Sequence, residues 1–254
     1  VEIGFKKAFK GNWGATEHTK RLGALQDLNR LSFNSALSHL RKINLNIESS
    51  AKVVAPRLLH SSQFGIIDPI DTPDGGNVGL HKHMAIMSHI TSGYSKYFLF
   101  DLLFNSLYVQ QLNSLKPEFI SKTTKIFING HWIGNVVDPV KFTFDFKQLR
   151  RIALIPVQTS IAWKISDKII YVNTDSGRLC RPIFYIDNDR IPSYARFDPK
   201  YNWTDMITGK NSKPSDFNIN TFYNNATLYK NASIDTLIKN KSIIEFIDAD
   251  ESNT

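Results

Sequence analysis

A chain of 254 residues, 42% hydrophobic and 21% charged, has an ordinary globular composition and room for two or three compact units. A net charge of +8 and a pI near 9.4 suit a polyanionic partner or simply solubility, and composition does not separate the two. Cys180 is the only cysteine, which excludes internal disulfides and a cysteine-based zinc site; no apolar run reaches membrane-spanning length, so no membrane partner is expected.

Residues 1–23 are basic and punctuated by glycine, with Gly11-Asn12-Trp13-Gly14 reading as a turn before a loop over 15–23. Leu22, Leu25 and Leu28 recur at threes and predict a short helix. A clearer helix follows, with Phe33, Ala36, Leu37 and Leu40 at i, i+3, i+4, i+7 and Ser32 as N-cap. Arg41 and Lys42 fall in its last turn, where they complement the helix dipole or, equally, meet a phosphate. Residues 81–87 read as a strand; His81 and His83 would share a face, but without a third ligand they are read as solvated.

Residues 97–115 predict an amphipathic core helix, and 125–133 a hairpin turning on Asn129-Gly130. Asp138-Pro139 opens a helix through Arg151, with Asp as cap and Pro in the first turn. Strands are predicted at 160–165, 169–173 and 178–186, the last two joined across 174–177. Residues 188–229 read as a long surface connection, 233–239 as a short helix and 243–247 as a strand. The chain opens on Val1 and stops after an acidic cluster, and is read as a piece of something longer.

The stretch from Pro56 to Leu80 is different in kind. Pro69 and Pro73 forbid a helix or central strand, and Thr72-Pro73-Asp74-Gly75-Gly76 is a turn whose glycines allow close approach. Asp68, Asp71 and Asp74 could ligate a hard cation, but their spacing fails the EF-hand pattern. A bidentate pairing of Arg57 with Asp71 or Asp74 is the preferred expectation, and no metal site is expected. No nucleophile triad and no phosphate-cradling Gly-Lys-Ser/Thr loop occurs. Up to Gly65, ten lysines and arginines stand against four acids, the asymmetry a backbone-tracking nucleic-acid surface needs. Lys20, Arg21, Arg30, Arg41, Lys42, Lys52 and Arg57 are its candidate contacts, with a solvated face as the alternative.

Several motifs in order resemble the second-largest, β-like subunit of multisubunit DNA-directed RNA polymerases. They are Leu28-Asn29-Arg30-Leu31-Ser32, Leu37–Asn44, Ala55-Pro56-Arg57-Leu58-Leu59-His60, Phe64-Gly65 and Asp71-Thr72-Pro73-Asp74-Gly75. Ile128–Gly134, Asp175–Pro182 and Glu245-Phe246-Ile247-Asp248-Ala249 continue the series, so the resemblance covers nearly the whole chain. Asp71 and Asp74 replace the family's usual glutamates, Gly76 a usual glutamine of eukaryotic forms, and Asp68 a usual cysteine.

The resemblance implies a mixed α/β (α+β), multi-domain fragment: a helical and looped fork region over 1–95, then small sheet-and-helix external domains over 96–188 and, in part, 189–254. It places 15–23 and 47–54 as fork loops lining the active-centre cleft beside the transcription bubble. Arg57, Gln63, Asp71, Asp74 and Asn77 would support nucleotide addition, with no catalytic residue in this piece. The Mg²⁺ would be held by the largest subunit. Partners implied are that subunit and the other polymerase subunits, the DNA template, the RNA–DNA hybrid and nucleoside triphosphates. The asparagine-, isoleucine- and lysine-heavy composition resembles AT-rich large DNA viruses, implying action in host cytoplasm or virion, and in the nucleus otherwise. The competing expectations are a stand-alone nucleic-acid-binding module and, more distantly, an aspartate-metal hydrolase.

Overall fold

The structure, a computed structural model, describes residues 1–9, 26–45, 47, 49–50, 53–106, 109–112, 116–186, 190–209 and 241–254. The turn at 11–14, the loop at 15–23 and the helix expected over 233–239 lie outside these residues. Helices and several small sheets make it a mixed α+β chain. No helix among the described residues is long and apolar enough to cross a membrane. The described residues divide into two compact units, Val1–Leu59 with Asp68–Met84, and His60–Ile67 with Ala85–Thr254.

The first unit holds α1 (Glu2–Phe9), α2 (Phe33–Leu40), β1 (Lys42–Asn44) and β2 (His81–His83). Helix α1 was not legible in the glycine-punctuated start; an exposed Glu2–Lys6 pair at 2.7 Å, one turn apart, supports it. Ser32 caps α2 as expected: its Oγ accepts from the Ser35 N–H at 3.1 Å, and Ser35 Oγ accepts from the Ser32 N–H at 2.8 Å. The apolar stripe Phe33, Leu37 and Leu40 is exposed. β1 and β2 pair antiparallel, Ile43 opposite Lys82, and the predicted long strand over 81–87 is only three residues here. Leu28 is not helical, and the rest of its predicted helix, Leu22 and Leu25, falls outside the described residues.

The second unit contains β3 (His89–Ile90), α3 (Tyr97–Ser106), β4 (Gln110–Gln111), α4 (Pro117–Lys122), β5 (Thr124–Ile128), β6 (His131–Val136) and α5 (Pro139–Arg151). β7 (Ser160–Lys164), β8 (Ile169–Asn173), β9 (Leu179–Phe184), α6 (Trp203–Thr208), β10 (Ile244–Asp248) and α7 (Ala249–Ser252) complete it. A five-stranded sheet runs β4-β6-β5-β8-β7, and a three-stranded one runs β10-β9-β3. Asn129 and Gly130, both at positive φ, 47° and 79°, form the two-residue turn between β5 and β6.

Strand alternation builds the core. Ile126 and Ile128 of β5 and Ile170 and Val172 of β8 bury one sheet face against Leu99 and Leu103 of α3 and Phe142 and Phe146 of α5. Helix α3 ends at Ser106, short of the predicted 115, because Gln110 and Gln111 pair with Asn135 and Gly134 at the sheet edge. Strands β8 and β9 are consecutive but not partners: β8 lies between β5 and β7, while β9 lies between β10 and β3, so 174–178 is a crossing from one sheet to the other.

Helix α5 starts as predicted, with Pro139 in its first turn and Asp138 Oδ1 accepting from the Lys141 N–H at 3.1 Å. Asp138→Ala is expected to cost about 1 kcal/mol through the lost cap, read as a lower urea midpoint with unchanged slope. A midpoint equal to the parent's would show that the cap does not hold this helix.

Candidate nucleic-acid interface

The segment between Asp68 and Leu80 is held by its own small polar groups and, from outside, by Arg57. Asp68 Oδ1 accepts from the N–H of Ile70 at 2.9 Å and of Asp71 at 3.3 Å, closing an Asx turn over Pro69, which has no donor to offer. Thr72 Oγ1 donates to the His81 carbonyl at 2.9 Å and accepts from the Gly79 N–H at 2.8 Å, fastening both ends of the loop to each other. Asp74 leads into a 3₁₀ turn at Gly75–Asn77, with Gly75 at φ +79° as the turn reading anticipated. Asp71, Asp74 and Asn77 are all exposed.

Arg57 corrects the expected ion pair. Its Nη1 donates to the carbonyls of Gly76 at 2.7 Å and Val78 at 2.8 Å, and its Nη2 to the carbonyl of Ser49 at 3.1 Å. Neither Asp71 nor Asp74 is its partner among the described residues. The physical reason is the turn itself, whose carbonyls converge on one point and present acceptors a planar guanidinium can span. The carboxylates therefore stay on the outside of the loop. Gly79, at φ +71°, makes the approach possible: a Cβ there would come within 2.6 Å of the Arg57 Cα and carbonyl oxygen.

His83 joins three elements. One ring nitrogen, Nδ1, lies 2.9 Å from the Met84 carbonyl and 3.9 Å from Asp71 Oδ2. The other, Nε2, faces Ser38 Oγ at 3.2 Å and the Ser38 carbonyl at 3.1 Å. The two histidines of β2 therefore do not form a ligand pair, and no three His, Cys, Asp or Glu side chains among the described residues come together as a metal site.

Of the cations singled out, Arg30 and Lys42 are exposed, while Arg41 is half-buried and its carbonyl accepts from the Met84 N–H at 3.0 Å. Lys20, Arg21 and Lys52 lie outside the described residues. Gln63 is half-buried in a 3₁₀ turn, Ser61–Gln63, of the second unit, whereas Arg57, Asp71, Asp74 and Asn77 belong to the first.

Comparison with known proteins bears on both units. Residues 26–90 match the family described as RNA polymerase Rpb2, domain 3, and residues 126–187 match RNA polymerase Rpb2, domain 4. The chain carries Rpb2 domains 3 and 4. It is homologous to the second-largest subunits of RNA polymerases II and III. It is 38% identical over 216 residues to DNA-directed RNA polymerase II subunit RPB2 of Encephalitozoon cuniculi, covering 82% of this chain and 19% of that one. Against DNA-directed RNA polymerase II subunit 2 of Arabidopsis thaliana, identity is 37% over 182 residues, 71% of this chain and 15% of the relative. DNA-directed RNA polymerase III subunit RPC2 of Drosophila melanogaster is 33% identical over 194 residues, 75% and 17% of the respective chains. The chain thus spans less than a fifth of the length of each of these relatives. All three are cellular eukaryotes and give no support to the viral origin suggested by composition.

The Rpb2 domain 4 match also contains the arginines that sequence reading passed over. Arg150 is buried at the end of the stripe Phe142, Phe146, Arg150 on α5. Its Nη1 donates to Glu251 Oε2 at 2.7 Å and to the Thr159 carbonyl at 2.7 Å, and its Nη2 to Glu251 Oε1 at 2.7 Å and to Glu245. Arg151 adds a second cation to Glu245 at 3.0 Å. Burial works against both charged partners, but the facing opposite charges outweigh it: Arg150 is held above its ordinary value and Glu245 below. Arg178 spans Asp175 Oδ1 at 2.9 Å and Asp248 Oδ2 at 2.7 Å, and donates to the carbonyls of Gln158 and Asn173, both at 3.0 Å. Beside it, burial pushes the Cys180 thiol up to about 11, so it behaves as an inert core residue. No sequence signal marks the Arg150–Glu251 pair, since about a hundred residues separate its members.

Proposed function

We propose that this chain is a segment of the second-largest subunit of a DNA-directed RNA polymerase, lining the active-centre cleft and helping to hold the transcription bubble and RNA–DNA hybrid. The observation that carries the reading is the occurrence of Rpb2 domains 3 and 4 in family order in one chain. Catalysis belongs to the assembled enzyme, with the catalytic Mg²⁺ held by the largest subunit and nucleoside triphosphates as substrates. Within this chain, Arg57 acts by positioning: it gathers the carbonyls of Ser49, Gly76 and Val78 and so sets the outward-facing Asp71, Asp74 and Asn77. By resemblance Gln63 is a further candidate for supporting nucleotide addition, and Arg30, Arg41 and Lys42, with Lys20, Arg21 and Lys52, are candidate nucleic-acid contacts. The relatives favour the nucleus as the place of action; a viral source acting in host cytoplasm or virion rests on composition alone.

Arg57→Ala in the assembled polymerase is expected to slow correct nucleotide addition about 10–100-fold, the scale of a loop displaced by an ångström. Single-nucleotide addition by rapid quench measures it, and an unchanged rate and fidelity would overturn the role. The full 254-residue chain alone should bind nucleic acid weakly and with steep salt dependence. A tight, salt-insensitive, sequence-specific complex would contradict the reading.

A further inference from the structure

In the second unit Arg150, Arg151 and Arg178 all meet carboxylates, whereas Arg181 of β9 meets none among the described residues. Its guanidinium lies 5.1 Å from the centre of the Phe64 ring, which is 76% exposed. Its stem crosses Gly65 so closely that a Cβ there would sit 2.8 Å from the Arg181 Cδ. The Nε is buried without a hydrogen-bond partner; the terminal nitrogens are neither buried nor bonded to any described group. A freely solvated arginine would keep every N–H in water. This one is fixed at its base by ring and backbone, and open at its tip. Helix α7 packs against the Ser61–Gln63 turn that precedes Phe64, but its acids do not neutralise Arg181: Glu251 is taken by Arg150, and Asp250 makes no ion pair with Arg181.

We propose that Arg181 and Phe64 form a contact for single-stranded nucleic acid, the guanidinium donating in parallel to a phosphodiester and the ring stacking on the adjacent base. The inference rests on the polymerase reading above and assigns it a further pair of residues. An exposed ring beside an uncompensated cation favours a nucleotide over an acidic protein segment, whose carboxylates would leave the ring unused. The chain's net charge of +8 favours the same polyanion.

The test is fluorescence anisotropy of labelled oligouridylate with the full chain across a potassium chloride series. Arg181→Met keeps the apolar stem over Phe64, and should weaken binding about tenfold and flatten the log–log salt dependence by about 0.7, the value of one single-strand phosphate contact. Phe64→Leu should weaken binding about fivefold or more with the salt slope unchanged, because stacking carries no charge. Arg181→Lys should keep the slope and lose part of the affinity, and it decides the matter if Arg181→Met fails to give a native circular-dichroism spectrum. Parent-like affinity and slope in the Arg181 variants, with the parent binding, would overturn this site alone. No binding by the parent chain at low salt would overturn the nucleic-acid reading and this site with it. Displacement of the oligonucleotide by oligoglutamate from the parent, but not from Arg181→Met, would assign the guanidinium to carboxylates and overturn the proposal.

Discussion

Arg150→Ala is expected to remove about 3–5 kcal/mol of folding stability, the scale of a buried ion pair broken from one side. The guanidinium is 1% exposed and serves Glu245, Glu251 and the Thr159 carbonyl together. Among the described residues its removal leaves Glu251, 3% exposed, with only Lys147 at 3.7 Å as a cation, and Glu245 with Arg151 alone. Urea unfolding of the full chain reads the loss. A second arm separates charge from packing: Arg150→Met combined with Glu251→Gln should recover part of it, because Glu251 then carries no charge and Glu245 keeps Arg151. A loss below about 1 kcal/mol in the single variant would mean that water or another cation already serves the carboxylates.

The same cluster sets an acid limit. Glu245 is held below its ordinary value in the folded chain because Arg150 and Arg151 outweigh its burial. Its contribution is therefore present above the unfolded carboxylate pKa, about 4.3, and is lost as pH falls through the lower folded value. Removing Arg150 should move that acid limb to higher pH, since burial then dominates. A limb that stays in place would assign the acid sensitivity to another carboxylate.

The second large effect is expected at Gly79. Substituting alanine imposes φ +71° on a residue with a Cβ, about 1–2 kcal/mol, and drives that Cβ to 2.6 Å from the Arg57 backbone, adding about 1–3 kcal/mol. The matched control is Gly75→Ala: its φ is +79°, but no atom lies within 4 Å of the added Cβ, so only the strain should appear. Urea midpoints of the two variants give the difference. Hydrogen exchange at residues 78–80 gives its location, since the Gly79 N–H is bonded to Thr72 Oγ1. Equal losses in the two variants would show that the loop yields without disturbing Arg57.

Legibility followed the range of the forces involved. The cap of α2, the turn at Asn129-Gly130 and the start of α5 were readable because donor and acceptor sit within three or four residues. The β5–β6 hairpin was readable for the same reason, whereas the pairing of β7 with β8 was not anticipated. The placement of β9 in a separate sheet was not, since Cys180 and Asp248 meet from positions far apart in the chain. In the loop, the sequence showed a guanidinium and nearby carboxylates, and charge alone suggested they would pair. The geometry went to carbonyls, because Gly79 brings the backbone to Arg57 before any aspartate reaches it. Arg150 was hidden for the opposite reason: at the end of α5 it looks like a dipole-complementing cation, and its partners appear only near the end of the sequence.

That separation has a bearing on biosynthesis. Translation delivers α5 long before Glu245 and Glu251, so the emerging polypeptide must carry the Arg150 guanidinium through a period in which neither of its folded-state carboxylate partners has been made. Closure of the second unit therefore waits until Glu245 and Glu251 have left the ribosome, and a nascent chain stalled ahead of them would hold its aromatic stripe with an unmatched charge at one end.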